Sequence, residues 1–247
     1  SKGDTAFRPI EAHPSFALGG GDGEHVIFVL FEDAEDVVSG PFSSSITLDT
    51  VAPAPPLGAA AIAINGGAAF TNDAGGVVTL GFVTADETSG VASMQLATDA
   101  TFTSAGAFQP VATSTVFALA AGADGARDVF VRFEDRAGNI SDPFSASIVL
   151  DRTPPVIGSV VLDGGGDFTT TPLAVVDIAA TDALAGVSRM ALSTTGSFAA
   201  DATVAFDTPE TFFLAPGDGQ RAVFVKVFDA AGNASDVVSD AITVDSI

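Results

Sequence analysis

Hydrophobic and polar residues alternate in short runs along this chain. In "DVFVRFE", Val129, Val131 and Phe133 occupy one phase and Asp128, Phe130 and Arg132 the other. A period of two places successive side chains on opposite faces of a strand. "VTLGF" (Leu80, Phe82) and "AVVDI" (Val176, Ile178) follow the same rule. Gly, Pro, Asn and Asp break these runs every eight to twelve residues or so, and no stretch carries helical spacing, so short strands joined by turns are predicted. In the stretch 50–150 they fall at roughly 58–64, 77–84, 91–97, 107–112, 115–119, 127–134 and 144–150. Met94 in "VASMQL" and Met190 in "VSRMAL" each stand two residues before a leucine. Equal phase puts them on the core side of a strand. Phe28, Phe130 and Phe224 fall on the outward phase of one recurrent strand, either under neighbouring side chains or as a repeated contact between chains.

The pattern is internally repeated. "GDGEHVIFVLFED" (Gly21 to Asp33), "GADGARDVFVRFED" (Gly122 to Asp135) and "GDGQRAVFVKVFD" (Gly217 to Asp229) are three versions of one segment. Each leads to an aspartate that ends a strand: "ITLD" at Asp49, "IVLD" at Asp151 and "ITVD" at Asp245. The separations, 102 and 94 residues, match the ~100 residues of an immunoglobulin-type sandwich. Residues 50–150 and 151–247 therefore read as two complete repeats of about seven antiparallel strands in two sheets. Residues 1–49 hold only the back part of a third, because "AFRPIEAHPSFAL" matches "AFQPVATSTVFAL" of the next copy. That unit enters near its fourth strand. Half a sandwich leaves an apolar face and bare strand edges in water, so upstream sequence or another chain is expected to complete it, and the segment reads as part of something longer.

"FEDRAGNISDPF" and "FDAAGNASDVVS" close equivalent strands. If strands alternate up and down, the loop after the second strand carries Asp86 or Asp182, the loop after the sixth carries Asp135 or Asp229, and the linker carries Asp49 or Asp151. Each complete repeat then gathers three aspartates at its upper end, with Asp124 facing the next linker at Asp151. Such a set suits Ca²⁺, a hard cation that takes six to eight oxygens. The same residues also serve as turn formers, since Asp and Asn bond their own backbone and Gly138 and Gly232 permit positive φ. Both readings stand at this point.

"LDRTPP", "D-x-A-G-N-x-S" and the "D-x-x-x-G-V" loop resemble the bacterial immunoglobulin-like repeats of large cell-surface adhesins and surface-layer-type proteins, over essentially the whole chain. The resemblance implies an extracellular array, at the cell surface or secreted, that acts as a stalk or spacer. It also implies calcium at the junctions, held by Asp49, Asp86, Asp124, Asp135, Asp151, Asp182 and Asp229. A self-assembling subunit of a surface layer or filament, and an accessory part of a secreted enzyme, are the alternatives it leaves. The first unit departs from the pattern with "EDAEDVVSG", and the linker "LDTVAPAPP" displaces its prolines.

Composition narrows the chemistry. Thirty-one acidic residues against nine basic ones give a formal net charge of -22, which repels nucleic acid and attracts cations. There is no Cys, which removes disulfides and thiolate chemistry. No apolar run approaches the ~20 residues of a membrane-spanning helix. His13 and His25 both lie in the partial unit, and His25 stands where Arg127 and Arg221 occur in the other copies, so surface positions are expected. No catalytic constellation is assigned. "DGGGD" (Asp163 to Asp167) lacks the strand-to-helix context of a phosphate loop and predicts a hairpin. Lys226 lies at an outward phase, which argues against a buried Lys–Asn crosslink. Asn139 and Asn233 satisfy a glycan sequon but are equally explained by the turn. The expected partners are neighbouring repeats and copies of the chain itself.

Overall fold

The computed structural model describes residues 7–199 and 203–246. Those residues contain eighteen strands, one 3₁₀ turn and no α-helix. The first two strands, β1 (Gly23–Val29) and β2 (Phe42–Leu48), pair antiparallel. Eight strands follow: β3 (Ile62–Ile64), β4 (Phe70–Thr71), β5 (Val77–Phe82), β6 (Val91–Ala97), β7 (Gln109–Pro110), β8 (Ser114–Ala118), β9 (Gly125–Asp135) and β10 (Phe144–Leu150). Eight more repeat the series: β11 (Val156–Leu162), β12 (Phe168–Thr169), β13 (Leu173–Thr181), β14 (Val187–Ser193), β15 (Val204–Ala205), β16 (Glu210–Phe213), β17 (Gly219–Asp229) and β18 (Val238–Val244). Each series of eight forms one three-stranded and one five-stranded sheet. The orders are β3-β5-β8 with β4-β10-β9-β6-β7, then β11-β13-β16 with β12-β18-β17-β14-β15.

The strand count is thus eight rather than seven, and one pairing in each series is parallel. The first strand stops at a glycine corner and resumes on the opposite sheet beside the last strand, with Phe70 opposite Val149 and Phe168 opposite Thr243. The corner needs left-handed backbone. Gly66 and Gly67 supply it in one copy (φ 69 and 92) and Gly164 and Gly165 in the other (φ 68 and 86). "DGGGD" therefore forms a sheet-switching corner, not the predicted hairpin. A two-residue strand is too short to show a period of two, which is why β4 and β12 escape a reading of the pattern.

The chain divides into two compact units. One takes the described residues up to Ile62 together with Phe82–Ser114 and Phe130–Ser145; the other takes Ala63–Gly81, Thr115–Val129 and the residues from Ala146 onward. In the first, Phe133 is fully buried. Its ring meets Phe82 edge-on at 6.4 Å and Phe144 at 6.1 Å. In the second, Leu162, Val176 and Ile178 of one sheet pack against Met190, Val225 and Ile242 of the other, a two-layer sandwich core. Met94 is buried like Met190, as the shared phase requires. Phe130 and Phe224 are half-buried, and the Phe224 ring lies against the backbone of Gly196. Phe28 is exposed.

β6 and β14 carry a bulge at the same repeat position, between Val91 and Ser93 and between Val187 and Arg189. A bulge sharpens the local bend. Here it sits just after the Asp86 or Asp182 loop, which in turn bonds across to the β9 or β17 turn: Arg136 N–H donates to Gly90 O and Ala230 N–H to Gly186 O, both at 3.1 Å. The loops that hold the aspartates are thereby fixed against each other.

Candidate functional site: two aspartate triads

The D-x-A-G-N-x-S turn is built the same way in both complete repeats. Asp135 Oδ1 accepts from the Gly138 and Asn139 N–H groups at 2.7 and 2.9 Å. Asp229 Oδ1 accepts from Gly232 and Asn233 at 2.6 and 2.8 Å. The serine three residues before the next strand completes the turn: Ser141 Oγ accepts from Phe133 N–H and Ser235 Oγ from Val227 N–H, each at 3.0 Å.

The partial first unit shows which parts of this motif the turn needs. There Asp36 stands at the glycine position with φ 61, and Val37 stands at the asparagine position. The turn nevertheless forms, with Asp33 Oδ1 accepting from Val37 N–H at 2.9 Å and Ser39 Oγ from Phe31 N–H at 2.9 Å. The asparagine is therefore dispensable for the turn and has another task. Asn139 Nδ2 donates to Asp135 Oδ2 at 2.8 Å and to the backbone carbonyl of Asp49 at 3.0 Å. Asn233 Nδ2 donates to Asp229 Oδ2 at 2.7 Å and to the carbonyl of Asp151 at 2.8 Å. Each asparagine pins the preceding linker to the turn. With both amide hydrogens so engaged, Asn139 and Asn233 are poor glycan acceptors.

The same linker aspartates turn their side chains into the site. Asp49 Oδ2 and Asp86 Oδ1 share the Ser89 N–H at 3.1 and 2.9 Å, and Asp86 Oδ1 also accepts from Gly90 at 2.6 Å. In the second copy Asp151 Oδ2 accepts from Ala185 N–H at 2.9 Å and Asp182 Oδ1 from Gly186 at 2.7 Å. One carboxylate oxygen each from Asp49, Asp86 and Asp135 lies within 4.8 Å of the others, and likewise for Asp151, Asp182 and Asp229. Asp151 and Asp229 are fully buried; Asp49 and Asp135 are nearly so. The up-and-down reading of the strands thus places these six residues in the two groups that form.

Two ionised carboxylates at that separation repel by on the order of 3 kcal/mol at an effective dielectric of about 20. Backbone N–H groups offset part of this. Burial pushes the Asp135 carboxyl up, but the Asn139 amide and the N–H groups of Asn139, Gly138 and Ala137 outweigh it, and it sits below the usual aspartate value. Asp135 is thus kept ionised. A guanidinium flanks the first group, since Arg136 Nη1 donates to Ser89 O at 2.8 Å; Ala230 stands at that position in the second. The donor set is all oxygen, which suits a hard divalent cation. Ser89 Oγ is buried beside the first group with no hydrogen-bond partner; its counterpart is Ala185, so that hydroxyl is not a shared part of the design.

Asp124 departs from the expectation that it joins the carboxylates near Asp151. It accepts instead from the Arg152 backbone N–H and Nε, both at 2.7 Å, and from Thr153 Oγ1 at 2.9 Å. The charged guanidinium one residue past Asp151 captures it. The contact belongs to a recurrent set: Asp22 accepts from Thr50 N–H and Oγ1 at 3.1 and 3.0 Å, and Asp218 from Ser246 N–H at 3.0 Å. In each case the two residues are 28 apart. Each linker is therefore held by its own repeat at residue 50, 152 or 246, while the residue before it is an Asp49, Asp151 or Asp245. Asp245 is exposed.

Bonding from the Arg152 N–H and guanidinium holds the Asp124 carboxyl below its ordinary value. A depressed folded value means the contact contributes fully above the unfolded value of about 3.9 and is lost as pH falls through the lower folded one. The melting temperature of the chain minus that of Asp124→Ala should be positive near neutral pH and shrink toward zero as pH falls below the unfolded value of about 3.9. A difference that stays constant over that range would mean the carboxylate charge does not hold the linker.

Arg127 and Arg221 cap the loops before β9 and β17. Arg127 Nε donates to Ala120 O at 2.9 Å, and Arg221 Nε and Nη2 reach the carbonyls of Ala215 and Gly217 at 2.9 and 3.0 Å. His25 substitutes with a single bond to Gly21 O at 2.9 Å. His13 is exposed. Lys226 lies over the Phe228 ring at 5.7 Å.

The strand order defines an all-β chain of immunoglobulin-like β-sandwich type. No protein-family model matches it, and no curated protein does. Among solved structures it is similar to the fibronectin(III)-like modules of Clostridium thermocellum CbhA, at 15% identity and a TM-score of 0.46, over 74% of this chain and 94% of that one. A cytokine receptor complex aligns at 14% identity and a TM-score of 0.26, over 75% and 97% of the respective chains. Dimeric latent PorU from Porphyromonas gingivalis aligns at 12% identity and 0.26, over 89% of this chain and 31% of that one. No helix of the described residues is long and apolar enough to cross a membrane.

Proposed function

We propose that this chain is a structural segment of a longer extracellular protein, an adhesin-like stalk or spacer that acts mechanically and catalyses nothing. Its repeats are residues 1–49 (the back part of one), 50–150 and 151–247. The observation that carries this reading is the double use of the linker. Residue 50 or 152 is held by an aspartate of the repeat behind it, Asp22 or Asp124. The adjacent Asp49 or Asp151 enters the carboxylate group of the repeat ahead. A cation there ties the end of one sandwich to the upper loops of the next, so the linker cannot swing.

Calcium is the cation this reading assigns, held by Asp49, Asp86 and Asp135 and by Asp151, Asp182 and Asp229. When bound it supplies positive charge that removes the mutual repulsion of the carboxylates. Each asparagine then keeps the linker carbonyl in place, and the turn keeps the third carboxylate aimed. A stalk of this kind loads force along the chain axis, and neighbouring repeats contribute stability nearly additively.

Small-angle scattering tests the stalk. A compact single body of 247 residues has a radius of gyration of about 18 Å. The calcium-loaded chain should lie well above that, and chelation should broaden its distance distribution. A value near the compact one, unchanged by chelation, would refute the stalk.

A further inference from the structure

The hairpin of β1 and β2 presents an apolar face that the two complete repeats bury. Val29, Phe31 and Ile46 are 43%, 46% and 55% exposed. Their counterparts Val131, Phe133 and Ile148 are 0%, 0% and 1% exposed. Val225, Val227 and Ile242 of the last repeat agree, at 0%, 0% and 2%. The hairpin itself is already in the form the complete repeats use. His25 pairs with Ile46 as Arg221 pairs with Ile242. Phe31 meets Phe42 at 5.8 Å, as Phe133 meets Phe144 at 6.1 Å.

We propose that this face is the docking surface for the front half of a repeat, a segment built like residues 50–106 on the N-terminal side of the same polypeptide. The two complete copies show what the occupant must be. In them the outer edge of β9 or β17 pairs antiparallel with β6 or β14, with Met94 opposite Phe133 and Met190 opposite Val227. The strand that docks beside β1 thus continues past its end and carries a buried apolar residue opposite Phe31.

The behaviour of residues 7–22 supports the same occupant. This stretch matches the β7 and β8 region at six of thirteen positions, with Pro14 at the place of Thr115, and forms no strand. β7 depends on β6, pairing Pro110 with Ser93 and Gln109 with Met94, and β8 lies beside β5. Counterparts of β5 and β6 are what the first unit lacks. One front half would therefore satisfy the β1 edge, the apolar face and this strand-forming stretch together, which a second copy seated on the face alone would not do.

The test joins a further copy of residues 50–106 directly to Ala6, in place of residues 1–5, and follows hydrogen exchange at the amides of Val26–Phe31. Exchange should slow by at least about a hundredfold on joining. Val29→Asp in the joined chain should restore fast exchange. Exchange equally fast with and without the added segment would overturn the proposal. So would protection in the original chain that rises with concentration, because a second copy would then be the occupant.

Discussion

Phe133→Ala should cost the sandwich that contains it about 3–5 kcal/mol, whereas Phe31→Ala, at the same repeat position, should cost the chain less than about 1 kcal/mol. The first ring is fully buried and touches Phe82 and Phe144, so its removal forfeits transfer free energy and leaves a cavity. The second is 46% exposed, so little is lost. A chain of several sandwiches need not unfold in one step, so the comparison is best made by native-state hydrogen exchange on the β9 and β1 amides separately. Equal losses at the two positions would mean that the first hairpin is covered in the 247-residue chain, contrary to the exposure described above.

Calcium should raise the melting temperature of this chain when sodium at the same ionic strength does not. A ligand that binds only the folded form adds RT ln(1 + [L]/Kd), about 2.7 kcal/mol at a hundredfold excess over Kd. For a sandwich of ~100 residues that is a rise on the order of 10–20 °C. Matching ionic strength matters because salt also screens the repulsion of a chain with a net charge of -22. Asp151→Ala with Asp182→Ala should abolish the response of the last repeat and leave that of the group at Asp49, Asp86 and Asp135. If sodium does as well as calcium, the aspartates serve the turns and the linker only.

Much of this site was legible in the sequence because its parts obey local rules. Strand phase alone placed Met94, Met190, Val129 and Phe133 in the interior. Alternation of strand direction alone put Asp86 and Asp135 at one end with Asp49, 37 and 86 residues away along the chain. The parts that escaped are non-local. Asn139 bonds a carbonyl 90 residues back and Asn233 one 82 residues back, and either looks like an ordinary turn residue until the linker is seen beside it. The sequence shows only that Val37 replaces the asparagine in the first unit; that the turn forms without it is seen in the structure. Asp124 does face the linker, as the order of its loop implies, but Arg152 offers it a charge partner that Thr50 and Ser246 cannot offer Asp22 and Asp218. The spacing of 28 residues common to all three pairs was the available clue.

Isothermal titration of the 247-residue chain with calcium, in sodium buffer of constant ionic strength, bears most directly on whether these groups are cation sites. Two ions should bind per chain, and Asp86→Ala or Asp182→Ala should each leave one. No saturable uptake, or two ions still bound in both variants, would mean that the triads are hydrogen-bonded corners of the fold and nothing more.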